Sequence, residues 1–272
     1  MDSIIKDILE KGDLLLRHFI VALQFLTRIH ILEQTNLTAL DFGRSTRYFP
    51  LVGLILGIFY MIASWFLIAI LGWSNIVTTI LITLPILVTG ALHCDGFMDT
   101  IDGIFSGRER ARMLEIMKDS RTGSFGVVAF VILILMNWSL LRDIPLMLIM
   151  TALFVMPIIG RMAMVVAIAF FPYAREEGIG KAFSDSADNK TVWIALAITL
   201  LCVLPWGPAA VYALIAGLAF AWNFSAYVCR RLGGLTGDVY GAVEMLTETV
   251  VLVVFFAAHW LPGGMLLLWK SW

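Results

Sequence analysis

Apolar runs recur along this chain with so little polar sequence between them that an aqueous globular core is excluded. The clearest, residues 51–71, is 21 residues without a charge. A helix rises about 1.5 Å per residue, so roughly 20 apolar residues cross a hydrocarbon layer of about 30 Å. Runs at 51–71, 76–92, 127–141, 144–160, 192–204, 209–228 and 245–268 therefore predict about seven crossings. The runs are continuously apolar and lack the strict alternation a membrane barrel needs, so the spans are helices. Between residues 14 and 32 the apolar positions recur at helical spacing around Arg17, His18, Gln24 and Arg28, the pattern of an amphipathic helix lying at the interface. The expected fold is all-α: a polytopic integral membrane helical bundle of about seven transmembrane helices plus this N-terminal amphipathic helix. Residues 1–272 form one membrane-embedded domain. Residues 1–13 lack the basic start, apolar stretch and small-residue cleavage site of a secretory signal, so the N-terminus is expected to be retained.

Charge then orients the bundle. Nineteen Lys and Arg against 20 Asp and Glu leave a net charge of -1, too small to gather nucleic acid, so charge arguments must be local. Seventeen of the 19 cations fall in the segments 1–50, 93–126, 161–190 and 230–244, with Arg142 and Lys270 on the other side of a seven-span arrangement. That bias places the N-terminus and those loops in the cytoplasm and the protein in the cell (cytoplasmic) membrane. Cys94, Cys202 and Cys229 are too far apart in sequence for a zinc ribbon, an iron–sulfur site or a disulfide framework.

The chemistry concentrates in HCDGFMDTIDGIFSGRERARMLEIMKDSRTGSFG, residues 93–126, where 11 of 34 residues are charged. Asp95, Asp99 and Asp102 recur at i, i+4 and i+7, so on a helix continuing from the preceding span their carboxylates share one stripe. Like charges at a bilayer edge repel unless a cation lies among them, and clustered hard oxygens suit Mg²⁺ or Mn²⁺. Glu115 and Asp119 form a second i, i+4 pair able to complete that site. Beside them stand Arg108, Arg110, Arg112, Lys118 and Arg121. The small polar turn through Thr122, Gly123, Ser124 and Gly126 follows, with backbone N–H groups for an anion. Together these residues describe a diphosphate site. His93 is a candidate general base or phosphate contact, and Arg44 and Arg47 can reach a phosphate. YAREEGIGKAF (173–183) brings Arg175 and Lys181, and GGLTGDVYGAVE (233–244) sets four glycines around Asp238. Both segments are expected to close over the substrate.

The long paired motif HCDGFMDTIDG (93–103) and LEIMKDSRTGSFG (114–126), with ALQFLTRI (22–29), FPLVG (49–53), YAREEGIGKAF and GGLTGDVYGA in order, resembles the cobamide synthases. These are also called adenosylcobinamide-GDP ribazoletransferases or cobalamin 5′-phosphate synthases. Cys94 and Phe97-Met98 depart from the expected pattern, and neither removes a carboxylate. The resemblance implies transfer of the cobinamide phosphate of adenosylcobinamide-GDP to α-ribazole or its 5′-phosphate, releasing GMP, with Mg²⁺ as cofactor. It assigns Asp95, Asp99 and Asp102 to the metal, with Glu115 and Asp119 nearby. Lys118 and Arg121 then face the leaving GMP, and His93 or one of the Asp residues takes the ribazole proton. The implied partners are the two substrates and the lipid bilayer, with a second copy of the chain or other cobamide-assembly enzymes as protein partners, and no nucleic acid. Two rivals use similar features. A CDP-alcohol phosphatidyltransferase would need an Ala-Arg after the first acids and a GxxxDxxxD ending, which this chain lacks. A cation-coupled transporter would set its acids at the bilayer midplane, inside broken helices.

Overall fold

The computed structural model describes residues 15–31, 37–119 and 121–258. The expectations for residues 1–13 and for the end of the last run, 259–268, lie outside them. Helices α1 (Leu15–Leu26) and α2 (Ala39–Ser45) precede α3 (Phe49–Leu71). Next come α4 (Asn75–Thr89), α5 (Leu92–Phe105), α6 (Arg110–Ile116), α7 (Ser124–Asp143) and α8 (Leu146–Phe170). The chain continues through α9 (Ile179–Ser186), α10 (Asn189–Val203), α11 (Pro208–Leu232) and α12 (Gly237–Ala258). Among the described residues six segments are long and apolar enough to cross a membrane, and the bent pair α4–α5 makes a seventh. The all-α polytopic bundle is therefore as expected.

Three local expectations change. The Asp helix does not continue from the span before it: α4 and α5 meet at 91°. Gly90 (φ 63°) and Ala91 (φ 60°) are both left-handed. Ala91 N–H bonds Ile86 O at 2.8 Å and Gly90 N–H bonds Leu87 O at 3.2 Å, a Schellman closure that ends α4 before α5 begins. The apolar run ending at residue 160 extends to Phe170, so Arg161 is a buried residue of α8 and leaves the count of loop cations. Likewise α12 begins at Gly237, which moves Asp238 and Glu244 from a loop onto a helix.

Helix α8 is the pillar. Its most apolar stretch is 89% buried, against 22% for the segment containing α3 and 17% for α7, which leave broad faces for lipid. Gly53 and Gly57 of α3 form a small-xxx-small stripe against it. A Cβ at Gly53 would stand 2.5 Å from Pro157 O, and one at Gly57 would collide with Phe154 O. In the lipid-facing environment there is no hydrophobic drive between helices, so such close backbone packing supplies much of the adhesion.

Gly57→Leu should separate α3 from α8, costing about 1–3 kcal/mol or more through forced backbone movement. The check is a thermal-unfolding scan of the detergent-purified protein, where the midpoint should fall clearly. An unchanged midpoint would mean that this contact contributes no stability.

Candidate functional site

One cavity of about 840 Å³ opens where α5, α6, the 171–178 segment, α9 and the start of α12 converge. Its wall includes His93 and Asp95 of α5, Leu114 and Glu115 of α6, Lys118, Arg175, Glu176, Glu177 and Asp238. Phe25, Phe49 and Phe183 line its apolar side. Phe183 packs edge-on against Phe25, Phe42 and Phe49 at centroid distances of 5.0, 6.1 and 5.5 Å, which seats α9 on α1, α2 and α3.

Close helix approach sets the acid geometry. A Cβ at Gly96 would lie 2.7 Å from Asp238 O, and one at Gly241 would lie 3.2 Å from the Cα of His93. Backbone therefore meets backbone between α5 and α12, which brings Asp238 beside the Asp stripe. Asp99 stands within electrostatic reach of Asp95, Asp238, Asp102 and Arg175. Neither the Asp95 nor the Asp99 carboxylate makes a hydrogen bond or ion pair among the described residues.

Asp102 has a different situation. It is 7% exposed and accepts from the backbone N–H of Gly123 at 2.7 Å and of Gly126 at 2.9 Å. A Cβ at either glycine would run into that carboxylate. The glycine turn, expected to offer its N–H groups to a substrate anion, presents two of them to Asp102. A carboxylate there satisfies the orphan donors and the positive end of α7. Among the described residues no three His, Cys, Asp or Glu side chains come together as a ready metal cage.

The other expected residues divide. Asp119 pairs with Arg121 at 2.7 Å on the surface, where the guanidinium hydrogen bonds hold its carboxyl down to about 2. Ser124 is the exposed first residue of α7. Lys181 pairs with Asp185 at 3.0 Å, and Arg44 and Arg47 sit half-buried on and after α2, off the cavity wall. His93, Asp95, Glu115, Lys118, Arg175 and Asp238 do share the cavity.

The two glycine-rich segments are stitched together. Ala174 N–H bonds Leu235 O and Leu235 N–H bonds Pro172 O, each at 2.8 Å. Arg175 reaches Asp238 at 2.9 Å, and Thr236 donates to the same carboxylate at 3.1 Å. Arg110 of α6 bonds Leu232 O at 2.5 Å and so ties α6 to the same rim. Burial raises the Tyr173 hydroxyl above the usual phenol range, and the nearby Arg175 opposes that shift.

Below the cavity lies a group that the apolar-run analysis missed. Arg161 of α8 contacts Glu244 and Glu248 of α12 at 2.5 Å each, and all three are at most 9% exposed. His93 Nε2 is buried beside them without a hydrogen-bond partner among the described residues. The available signal was the i, i+4 pair Glu244–Glu248 inside an apolar stretch, which demands an equally buried cation.

The family described as cobalamin-5-phosphate synthase matches residues 18–256. An adenosylcobinamide-GDP ribazoletransferase of Desulfitobacterium hafniense (strain Y51) is 38% identical over 253 residues, covering 89% of this chain and 97% of that protein. The protein of the same name from Clostridium acetobutylicum is 34% identical over 249 residues, 91% of this chain and 98% of its own length. That from Acetivibrio thermocellus is 35% identical, covering 89% and 98%. No solved structure matches.

Asp102 is expected to separate structure from chemistry. Asp102→Ala leaves the buried Gly126 N–H and the part-buried Gly123 N–H without their acceptor, and the buried one alone costs about 1–3 kcal/mol. Its unfolding midpoint should drop, whereas Asp102→Asn, which keeps one acceptor, should lose less. Equal midpoints for wild type and Asp102→Ala would remove the capping role.

Proposed function

This chain belongs to the cobalamin-5-phosphate synthase family, and on that footing we propose that it transfers the cobinamide phosphate of adenosylcobinamide-GDP to α-ribazole or α-ribazole 5′-phosphate, releasing GMP. The observation that carries the reading is the cavity itself, where unpaired Asp95 meets Lys118 and Arg175 at the edge of a membrane bundle. A cavity of about 840 Å³ is of a size for the nucleotide diphosphate. The phosphatidyltransferase and transporter readings gain no support from the family match.

In the transfer a ribazole hydroxyl attacks the phosphorus bearing the cobinamide, a new P–O bond forms, and the P–O bond to GMP breaks. Lys118 and Arg175 lie where they can neutralise the phosphates of the departing nucleotide. The exposed Asp95 carboxylate is the proton acceptor on the wall and can receive the hydroxyl proton, whereas His93 lines the cavity but keeps its Nε2 buried beside Arg161 and Glu248. Stitched segments around Tyr173 and Leu235 exclude water that would otherwise compete as nucleophile.

Mg²⁺ fits the donors present. Asp95 and Asp99, one turn apart and with unpaired carboxylates, are the residues that would hold it, one or two carboxylates being what such an ion takes from a protein. When bound, the ion stabilises negative charge developing on the leaving phosphate. Asp238 stands near enough to Asp99 to bias that pair electrostatically, whereas Glu115 pairs with Arg112 at 2.7 Å and Asp102 accepts from the start of α7.

We assign the protein to the cell membrane with this cavity facing the cytoplasm, on the strength of the loop cations. Cysteine probes placed at Asn75 or Asp143 should be labelled from outside intact cells, and probes at Ser106 or Asp185 should not. Labelling at Ser106 would reverse the orientation.

The activity is tested with purified protein, adenosylcobinamide-GDP, α-ribazole and Mg²⁺, following GMP and the complete cobamide. Chelation should stop turnover. Asp95→Asn should lower the rate roughly 100-fold or more while the unfolding midpoint stays put, the usual scale for removing one electrostatic contact to a transition state. Near wild-type turnover of Asp95→Asn at limiting Mg²⁺ would move the site elsewhere.

A further inference from the structure

A second cavity of about 430 Å³ adjoins the first and shares Phe25, Leu92 and Asp95 with it. Its remaining wall comes from the end of α1 and the turn after it, Gln24, Thr27, Arg28 and His30, and from the joint Thr89, Gly90 and Ala91. Gln24, Phe25, Thr27 and Arg28 belong to ALQFLTRI, which the transfer chemistry above leaves without a task. Their backbone is fixed: Arg28 N–H bonds Val88 O at 2.8 Å, and Thr27 Oγ1 accepts from Ile29 N–H at 3.1 Å. The Arg28 side chain lies across Gly90, where a Cβ would collide with it. Its one side-chain bond, to Gly90 O, is 3.5 Å long, and no carboxylate among the described residues pairs with it. A guanidinium carries five N–H donors, so most of them remain available to a ligand. His30 sits two residues on, exposed, with Nδ1 3.1 Å from Arg28 O and Nε2 left over.

The two cavities differ in charge. The larger one carries Asp95, Glu115, Glu176, Glu177 and Asp238 against Lys118 and Arg175, whereas the smaller carries Arg28 and His30 with Asp95 alone at its shared edge. In-line transfer needs two substrates meeting at one phosphorus, with the attacking hydroxyl opposite the leaving group. Two cavities joined at Asp95 supply that layout. The family description names a 5-phosphate on the product, while the relatives are named for ribazole. The phosphate that is transferred becomes a diester, so a further monoester phosphate has to arrive on the acceptor.

We propose that the smaller cavity is the acceptor subsite, in which Arg28 and His30 bind the phosphate monoester of a phosphorylated ribazole and set its hydroxyl toward Asp95. The assignment rests on the transferase reading and makes Arg28 a determinant of acceptor choice. Arg28 presents a planar fork to two phosphate oxygens, which a Gln or Lys cannot reproduce.

The test uses the full chain in phosphatidylcholine nanodiscs with saturating adenosylcobinamide-GDP. GMP release is measured against α-ribazole and against α-ribazole 5′-phosphate for wild type, Arg28→Gln, Arg28→Lys and His30→Gln. Arg28→Gln should raise KM for the phosphorylated acceptor at least ~10-fold and lower the preference for it over α-ribazole by the same factor, with partial recovery in Arg28→Lys. His30→Gln, which leaves the joint beside Gly90 untouched, should shift the preference the same way. Equal losses on both acceptors would overturn the proposal, since a structural defect cannot distinguish them. So would a loss that appears only when anionic phosphatidylglycerol is added, because the phosphate bound would then be a lipid headgroup. Calorimetric binding of α-ribazole 5′-phosphate without donor decides the subsite independently of turnover. Absence of GMP release by wild type with either acceptor would sink the transferase reading, while weaker binding by Arg28→Gln would still uphold the phosphate site.

Discussion

Arg161 has to be neutralised where it stands, because it is only 1% exposed in the middle of α8. A lone guanidinium in that environment is among the most costly groups a membrane protein can bury, and it is held here by Glu244 and Glu248. The demand fixes the rotation and height of α12 against α8. From that placement the rest follows: Gly241 falls against His93, Asp238 falls against Gly96, and the cavity acquires its floor. Removing either partner would leave an uncompensated charge, so the network selects one arrangement of the two helices, whatever it contributes to net stability.

Around that fixed pair the acidic helix α5 is held from two sides. Gly96 lets it meet α12 backbone to backbone, and Asp102 fastens its far end to the start of α7 through Gly123 and Gly126. Three aspartates at one helical spacing consequently do two jobs. Asp102 locks the helix in place, Asp95 opens onto the cavity, and Asp99 stays half-buried between them with its carboxylate unpaired. Repulsion within the stripe is reduced because one of its charges already faces a helix N-terminus.

The bundle and the Asp stripe were legible in the sequence because both depend on local periodicity: apolar runs of membrane length and carboxylates at i, i+4, i+7. Asp102's partners were not, since a carboxylate seeking backbone N–H groups 21 and 24 residues away leaves no local mark beyond the glycines that admit it. Arg161 was hidden for a related reason. A hydropathy run stops at the first charge, although a cation paired across helices continues the span. Arg44, Arg47 and Lys181 look like phosphate contacts by type and position, yet tertiary packing leaves them off the cavity wall. The stitch between Ala174 and Leu235 is backbone chemistry with no side-chain signature at all.

The joint at Gly90–Ala91 decouples the site from the bilayer that holds it. Helix α4 has 15 residues and so spans about 22 Å at 1.5 Å per residue, short of a typical hydrocarbon layer, which must thin around it or let it shift. In a continuous helix such adjustments would rotate every residue downstream. Here two left-handed residues and a right-angled turn intervene, and α5 takes its position from α7 and α12 instead. Changes in lipid thickness are thus absorbed as tilt of a peripheral strut, and the spacing of the carboxylates stays constant from one membrane composition to another.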